Sequence, residues 1–142
     1  EEITNLFNEY FSEIEEKLSV EIPSTNVKYV DYIKHNECTF DFVEITKDEV
    51  LTELKNLKAN KGSGPDNISP KFLKDSSYVI SSTLTSIFNQ SLKMEKFPDE
   101  WALARVSPIF KAGLKTELGN YRPISVLTAV SKVFEKILYK QI

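Results

Sequence analysis

Two β-prone runs near the C-terminal end constrain this chain more than any other feature. They are Val106-Ser107-Pro108-Ile109-Phe110-Lys111 and Asn120-Tyr121-Arg122-Pro123-Ile124-Ser125. Eight residues separate them, opening on Ala112-Gly113 and closing on Gly119. A β-prone run, a glycine-bounded polar loop and a second β-prone run read as a hairpin over about 102–126. It would bring Lys111, at the loop end of the first strand, close to Arg122, whose backbone is restricted by Tyr121 and Pro123. Two cations fixed on a rigid element suit a polyphosphate or a nucleic-acid backbone. The alternative is a pair of solvated surface charges.

Charge distribution bears on that choice. The net charge is −3. Residues 1–60 hold 14 acidic and 6 basic side chains, while residues 61–142 hold 7 acidic and 12 basic ones. The second part is therefore suited to a polyanion, and the first would repel one. A length of 142 residues allows one domain, or one domain with an appended segment. The chain starts on glutamate and stops inside a helical pattern, which fits a fragment. No run of 18 apolar residues occurs, so no transmembrane helix is expected, and the acidic start is not a signal peptide. A single cysteine, Cys38, excludes an internal disulfide and fits an intracellular protein. The sequons at Asn67 and Asn89 then read as incidental.

Periodicity places the other elements. Ile3, Leu6, Phe7, Tyr10, Phe11, Ile14 and Leu18 recur at helical spacing, so residues 1–18 form an amphipathic helix packing on later helices or on another part of a longer protein. Residues 19–45 read as an extended linker with a short β-prone piece at 39–45. Thr46-x-x-Glu49 is a capping box that starts a helix carrying Val50, Leu51, Leu54 and Leu57, with a stop near Asn60-Lys61-Gly62. The loop Lys61-Gly62-Ser63-Gly64-Pro65-Asp66 forces irregular backbone. Ser69-Pro70 caps a short helix through Lys74. A longer helix over about 78–93 should turn Ile80, Leu84, Ile87, Phe88 and Leu92 to the core. Pro98–Trp101 reads as one turn that inserts the tryptophan. A last helix from about Thr128 carries Val130, Val133, Phe134, Ile137 and Leu138 on one face. The sum is an α+β chain, mostly helical with one β-hairpin.

Several chemistries are excluded by residue counts and places. The glycine loop follows a helix and lacks the Gly-x-x-x-x-Gly-Lys-Ser/Thr pattern, so it is no nucleotide P-loop, although its glycines permit close approach to a nucleic-acid backbone. His35 and Cys38 have no second His or Cys to complete a zinc site. Asp66, Asp75 and Asp99 fall in loops or helix starts, and no Asp-Asp pair occurs, so two-metal phosphoryl transfer has no ligand set.

Four stretches in this order resemble the start of the reverse transcriptase domain of non-LTR, LINE-like retrotransposons. They are Lys61 through Pro70; Phe97 through Trp101 with Ala104-Arg105-Val106 and Pro108 through Lys111; Asn120 through Leu127; and Ser131 through Leu138. The resemblance covers about residues 46–142. It implies the N-terminal fingers region of a right-hand polymerase fold. Residues 1–45 would correspond to the linker between an endonuclease and the polymerase, 46–97 to an N-terminal fingers extension, and 98–142 to the start of the fingers domain. It further implies that Lys111 and Arg122 contact the triphosphate of an incoming dNTP. Lys61, Gly62, Gly64 and Lys71 would lie against template and primer. The parent polymerase would use magnesium, an RNA template and a DNA primer. In this family the metal-binding aspartates lie in a palm that follows the hairpin, so this fragment is expected to hold no cofactor, to need the missing palm and to be inactive alone. The alternative is a non-catalytic remnant that binds nucleic acid or protein.

Overall fold

A computed structural model describes residues 2–23, 28, 32–33 and 39–142. His35 and Cys38 lie outside the described residues. The elements are α1 (Glu2–Glu21), α2 (Lys47–Lys55), α3 (Pro70–Asp75), α4 (Ser77–Lys93), α5 (Asp99–Ala102), β1 (Ala104–Phe110), β2 (Tyr121–Leu127) and α6 (Ala129–Tyr139), with a 3-10 turn at Leu118–Asn120. The class is α+β, and β1 and β2 form a two-stranded antiparallel hairpin. The chain divides into two compact units, one of residues 1–40 and 108–124, the other of residues 41–107 and 125–142.

The second unit is built on α2, α4 and α6. Ile45, Val50, Leu54, Leu73, Phe88, Val133, Phe134 and Ile137 are buried at its centre. Phe134 stacks on Phe88 at 4.7 Å, and Trp101 meets Phe88, Phe97 and Phe134 edge-on. The single turn at α5 thus delivers its tryptophan to the core, as its sequence predicts. The apolar face of α6 is covered within the unit.

Local signals account for the helix starts. Thr46 caps α2: its hydroxyl accepts from the Glu49 N–H, and the Glu49 carboxylate accepts from the Thr46 N–H at 2.8 Å. Those bonds hold the Glu49 carboxyl below its ordinary value, the Thr46 hydroxyl being the largest cause. Ser69 and Thr128 cap α3 and α6 with the hydroxyl alone, accepting from the Phe72 and Ser131 N–H groups, and Pro70 occupies the first turn of α3.

Three expectations need correction. Helix α2 ends at Lys55, not near residue 60, because Asn56 already caps it, its N–H reaching the carbonyls of Thr52 and Leu54. Ile87 is not a core residue; it is 39% exposed, one position off the buried Phe88 face of α4. Finally, residues 39–45 form no strand. Side-chain amides take the place of a partner strand. Asn89 donates to the Ile45 carbonyl and accepts from its N–H, both at 2.8 Å, while Gln141 does the same at Val43. With its amide spent in this way, Asn89 serves as a structural clamp.

One carboxylate is buried among these helices. Glu53 on α2 is 3% exposed. Lys136 on α6 and Lys140 at its C-cap, one turn apart, bring their ammonium groups to its two oxygens, Lys136 at 2.6 Å. Burial pushes the Glu53 carboxyl up, but the two lysines outweigh it, and the group is held below its ordinary 4.5.

Candidate nucleotide and nucleic-acid contacts

The hairpin tip lies in the first unit. The Lys111 N–H donates to the Asn120 carbonyl at 2.8 Å, and the rings of Phe110 and Tyr121 meet at 5.4 Å. These contacts fix the antiparallel register: 111 faces 120, 110 faces 121, 109 faces 122 and 108 faces 123. Side chains alternate across a strand, so Lys111 and Arg122 leave from one face while Phe110 and Tyr121 leave from the other. Diagonal neighbours of this kind have Cα atoms about 7–8 Å apart. The sequence-predicted pair is therefore brought together on one surface.

Both proline positions fit this register. Pro108 and Pro123 form a non-hydrogen-bonded rung, where the backbone nitrogens point outward, so neither costs a ladder bond. They also remove one donor from each outer edge at the same level, which discourages addition of a further strand.

The face behind the cations is partly covered. Phe7 of α1 packs edge-on against Tyr121 at 4.8 Å, and the Tyr10 hydroxyl lies against Gly119, 3.1 Å from where a side chain would begin. Phe7 and Tyr10 of the apolar stripe predicted for the first helix thus back the aromatic side of the tip, while Ile3, Leu6 and Leu18 of that stripe stay exposed. On the other face Lys111 and Arg122 are exposed, and neither side chain makes an ion pair or hydrogen bond among the described residues. Two cations on a backed ribbon, with no acidic partner, can accept an anionic ligand without first breaking a salt bridge.

The loop residues belong to the second unit. Lys61 is exposed, Gly62 has open space around it, and Lys71 is exposed on α3. Gly64 is buried, and its lack of a side chain has a packing cause. A Cβ there would stand 2.6 Å from Thr128 Cα, 2.7 Å from Thr128 N and 2.9 Å from the Leu127 carbonyl carbon. Arg105, which sequence reasoning did not single out, ties the same loop to β1 by donating to the Ser63 carbonyl at 2.7 Å. Asp66 closes the turn by accepting from the Ile68 N–H. Backbone cannot yield as a flexible side chain can, so Gly64→Ala should cost about 1–3 kcal/mol. A urea melt with an unchanged midpoint would refute that packing role.

Among the described residues no group of three or more His, Cys, Asp or Glu comes together to hold a metal. No described helix is long and apolar enough to cross a membrane.

No protein-family model matches the chain. Curated relatives do. It is 36% identical over 91 residues to a probable RNA-directed DNA polymerase from transposon X-element of Drosophila melanogaster, a match covering 63% of this chain. It is 33% identical over 95 residues, 66% of the chain, to a probable RNA-directed DNA polymerase from transposon BS of the same fly. It is 28% identical over 101 residues, 70% of the chain, to a retrovirus-related Pol polyprotein from type-1 retrotransposable element R1 of Bradysia coprophila. The chain spans about a tenth of the length of each of these relatives.

Proposed function

We propose that this chain, similar in sequence to a segment of non-LTR retrotransposon RNA-directed DNA polymerases, serves as part of the fingers of such a polymerase. Lys111 and Arg122 bind the triphosphate of the incoming dNTP, neutralise its charge and orient the leaving pyrophosphate. The observation that carries this reading is the unpaired cation pair on one face of a register-fixed ribbon. Lys61, Gly62 and Lys71 lie against the phosphates of template and primer, and Gly64 and Arg105 hold that loop in place. Magnesium and the carboxylates that bind it belong to a palm outside these residues, and no metal-borne step falls to this chain. Residues 1–45 act as the segment that joins an endonuclease to the polymerase.

The test uses a polymerase that carries this segment together with its metal-binding half. Lys111→Ala and Arg122→Ala should each raise the KM for dNTP and lower kcat. Wild-type KM and kcat in both variants would remove the triphosphate role. For the loop, salt titration of binding to single-stranded RNA is the measure. Removing one lysine–phosphate pair, in Lys61→Ala or Lys71→Ala, should flatten the plot of log affinity against log salt by about 0.7. An unchanged slope in both would take the two lysines off the backbone.

A further inference from the structure

We infer that Asn120 is a positioning residue for Lys111, acting through a lock that closes the hairpin loop. The inference rests on the proposed role of the Lys111–Arg122 pair and names what aims half of it.

The loop between the strands, residues 111–120, is long for a hairpin. Connections of this length usually leave the last rung of the ladder to fray. Here the loop closes on one side chain. Asn120 Nδ2 donates to the Leu114 carbonyl at 3.0 Å and to Glu117 Oε2 at 2.9 Å. Its backbone N–H donates to the Glu117 carbonyl, and its own carbonyl receives the Lys111 N–H at 2.8 Å. Tyr121 adds a second tie, its hydroxyl donating to the Lys115 carbonyl at 2.9 Å.

Gly113 completes the lock from the other side. Its φ of +93° lies where side chains are rarely tolerated. A Cβ there would also stand 2.5 Å from Asn120 Nδ2. The asparagine amide therefore occupies the space that Gly113 leaves free. Both of its side-chain donors hold the loop, and the backbone carbonyl of the same residue holds the rung from which Lys111 projects. Arg122 leaves from the next hydrogen-bonded rung, opposite Ile109, and does not depend on that closure. Loss of the Asn120 side chain should therefore unfasten one cation and spare the other.

The experiment titrates inorganic tripolyphosphate into the full 142-residue chain and its variants. Asn120→Ala should bind about three- to tenfold more weakly, the cost of ordering one long side chain that is no longer held. Its thermal midpoint should stay at the wild-type value, because the lock touches no buried core residue. The same loss should persist in an Arg122→Ala background and vanish in a Lys111→Ala background. Gly113→Ala, which removes no hydrogen-bonding group, should reproduce the loss if Asn120→Ala folds poorly. Wild-type affinity in both Asn120→Ala and Gly113→Ala overturns the inference. So does an equal loss in the Lys111→Ala background, because the effect would then not pass through Lys111. If Lys111→Ala and Arg122→Ala both bind as wild type, the cation pair itself is not the site, and the inference falls with it.

Discussion

Replacing Lys136 and Lys140 together by methionine should destabilise the chain by about 3–5 kcal/mol. The methionines keep the apolar stems, so packing changes little. What changes is Glu53, which stays 3% exposed with no cation at either oxygen. A buried carboxylate without a partner is costly, and it will take up a proton instead.

The pH dependence should therefore change sign. In the wild type the folded carboxyl titrates below the ordinary 4.5. Its stabilising contribution is full above that value and is lost as pH falls through the depressed folded value. In the double variant only burial remains, which raises the folded value above the unfolded one. Stability from this group is then full at low pH and is lost as pH rises. Urea midpoints measured between about pH 4 and pH 8 should rise with pH in the wild type and fall in the variant. Parallel curves would show that the two lysines are not what keeps Glu53 ionised. The single changes should be milder, because each leaves one ammonium group in place.

Arg122→Ala should lower kcat by about 10²- to 10³-fold in a polymerase that contains this segment. An arginine fork presents two parallel donors to phosphate oxygens, and the strand fixes its backbone in a hydrogen-bonded rung. Such a group contributes most where charge builds on the leaving pyrophosphate. Lys111→Ala should cost less, about tenfold, since lysine acts as a point charge at the end of the ladder. Arg122→Lys should recover ground-state affinity more fully than rate, because it restores charge without the fork. Steady-state kinetics with varied dNTP separates the two effects. A rise in KM with unchanged kcat for Arg122→Ala would make the residue a binding contact only.

Most of the architecture was legible along the chain because its signals are local. Thr46 with Glu49, Ser69 with Pro70, and Thr128 each satisfy backbone donors within one turn, and such contacts need no distant partner. The hairpin was legible for the same reason, since two β-prone runs and their loop are neighbours in sequence. The cation pair followed from it.

Glu53, by contrast, sits at helical spacing between Val50 and Leu57, an acid on an apolar stripe. That spacing was the signal, but its partners lie more than eighty residues away, on α6 and at its C-cap. The strand expected at residues 39–45 failed on the same ground. Its pairing groups are the side chains of Asn89, on α4, and Gln141, in the turn after α6, and neither carries a strand pattern.

The sequence by itself determined where the elements start, that α2, α4 and α6 each own an apolar face, and that Lys111 and Arg122 stand on neighbouring strands. These are matters of period, cap and turn, settled within a few residues. Only the tertiary structure decided that both cations leave one face while α1 partly backs the other, that Gly64 is spent on the backbone of Thr128, and that Asn120 locks the loop against Gly113. Register decides the face on which a strand side chain stands, and one hydrogen bond between Lys111 and Asn120 fixes it here. The space left for a glycine or an amide is set by whatever backbone folds against it, and that is known only once the chain has closed on itself.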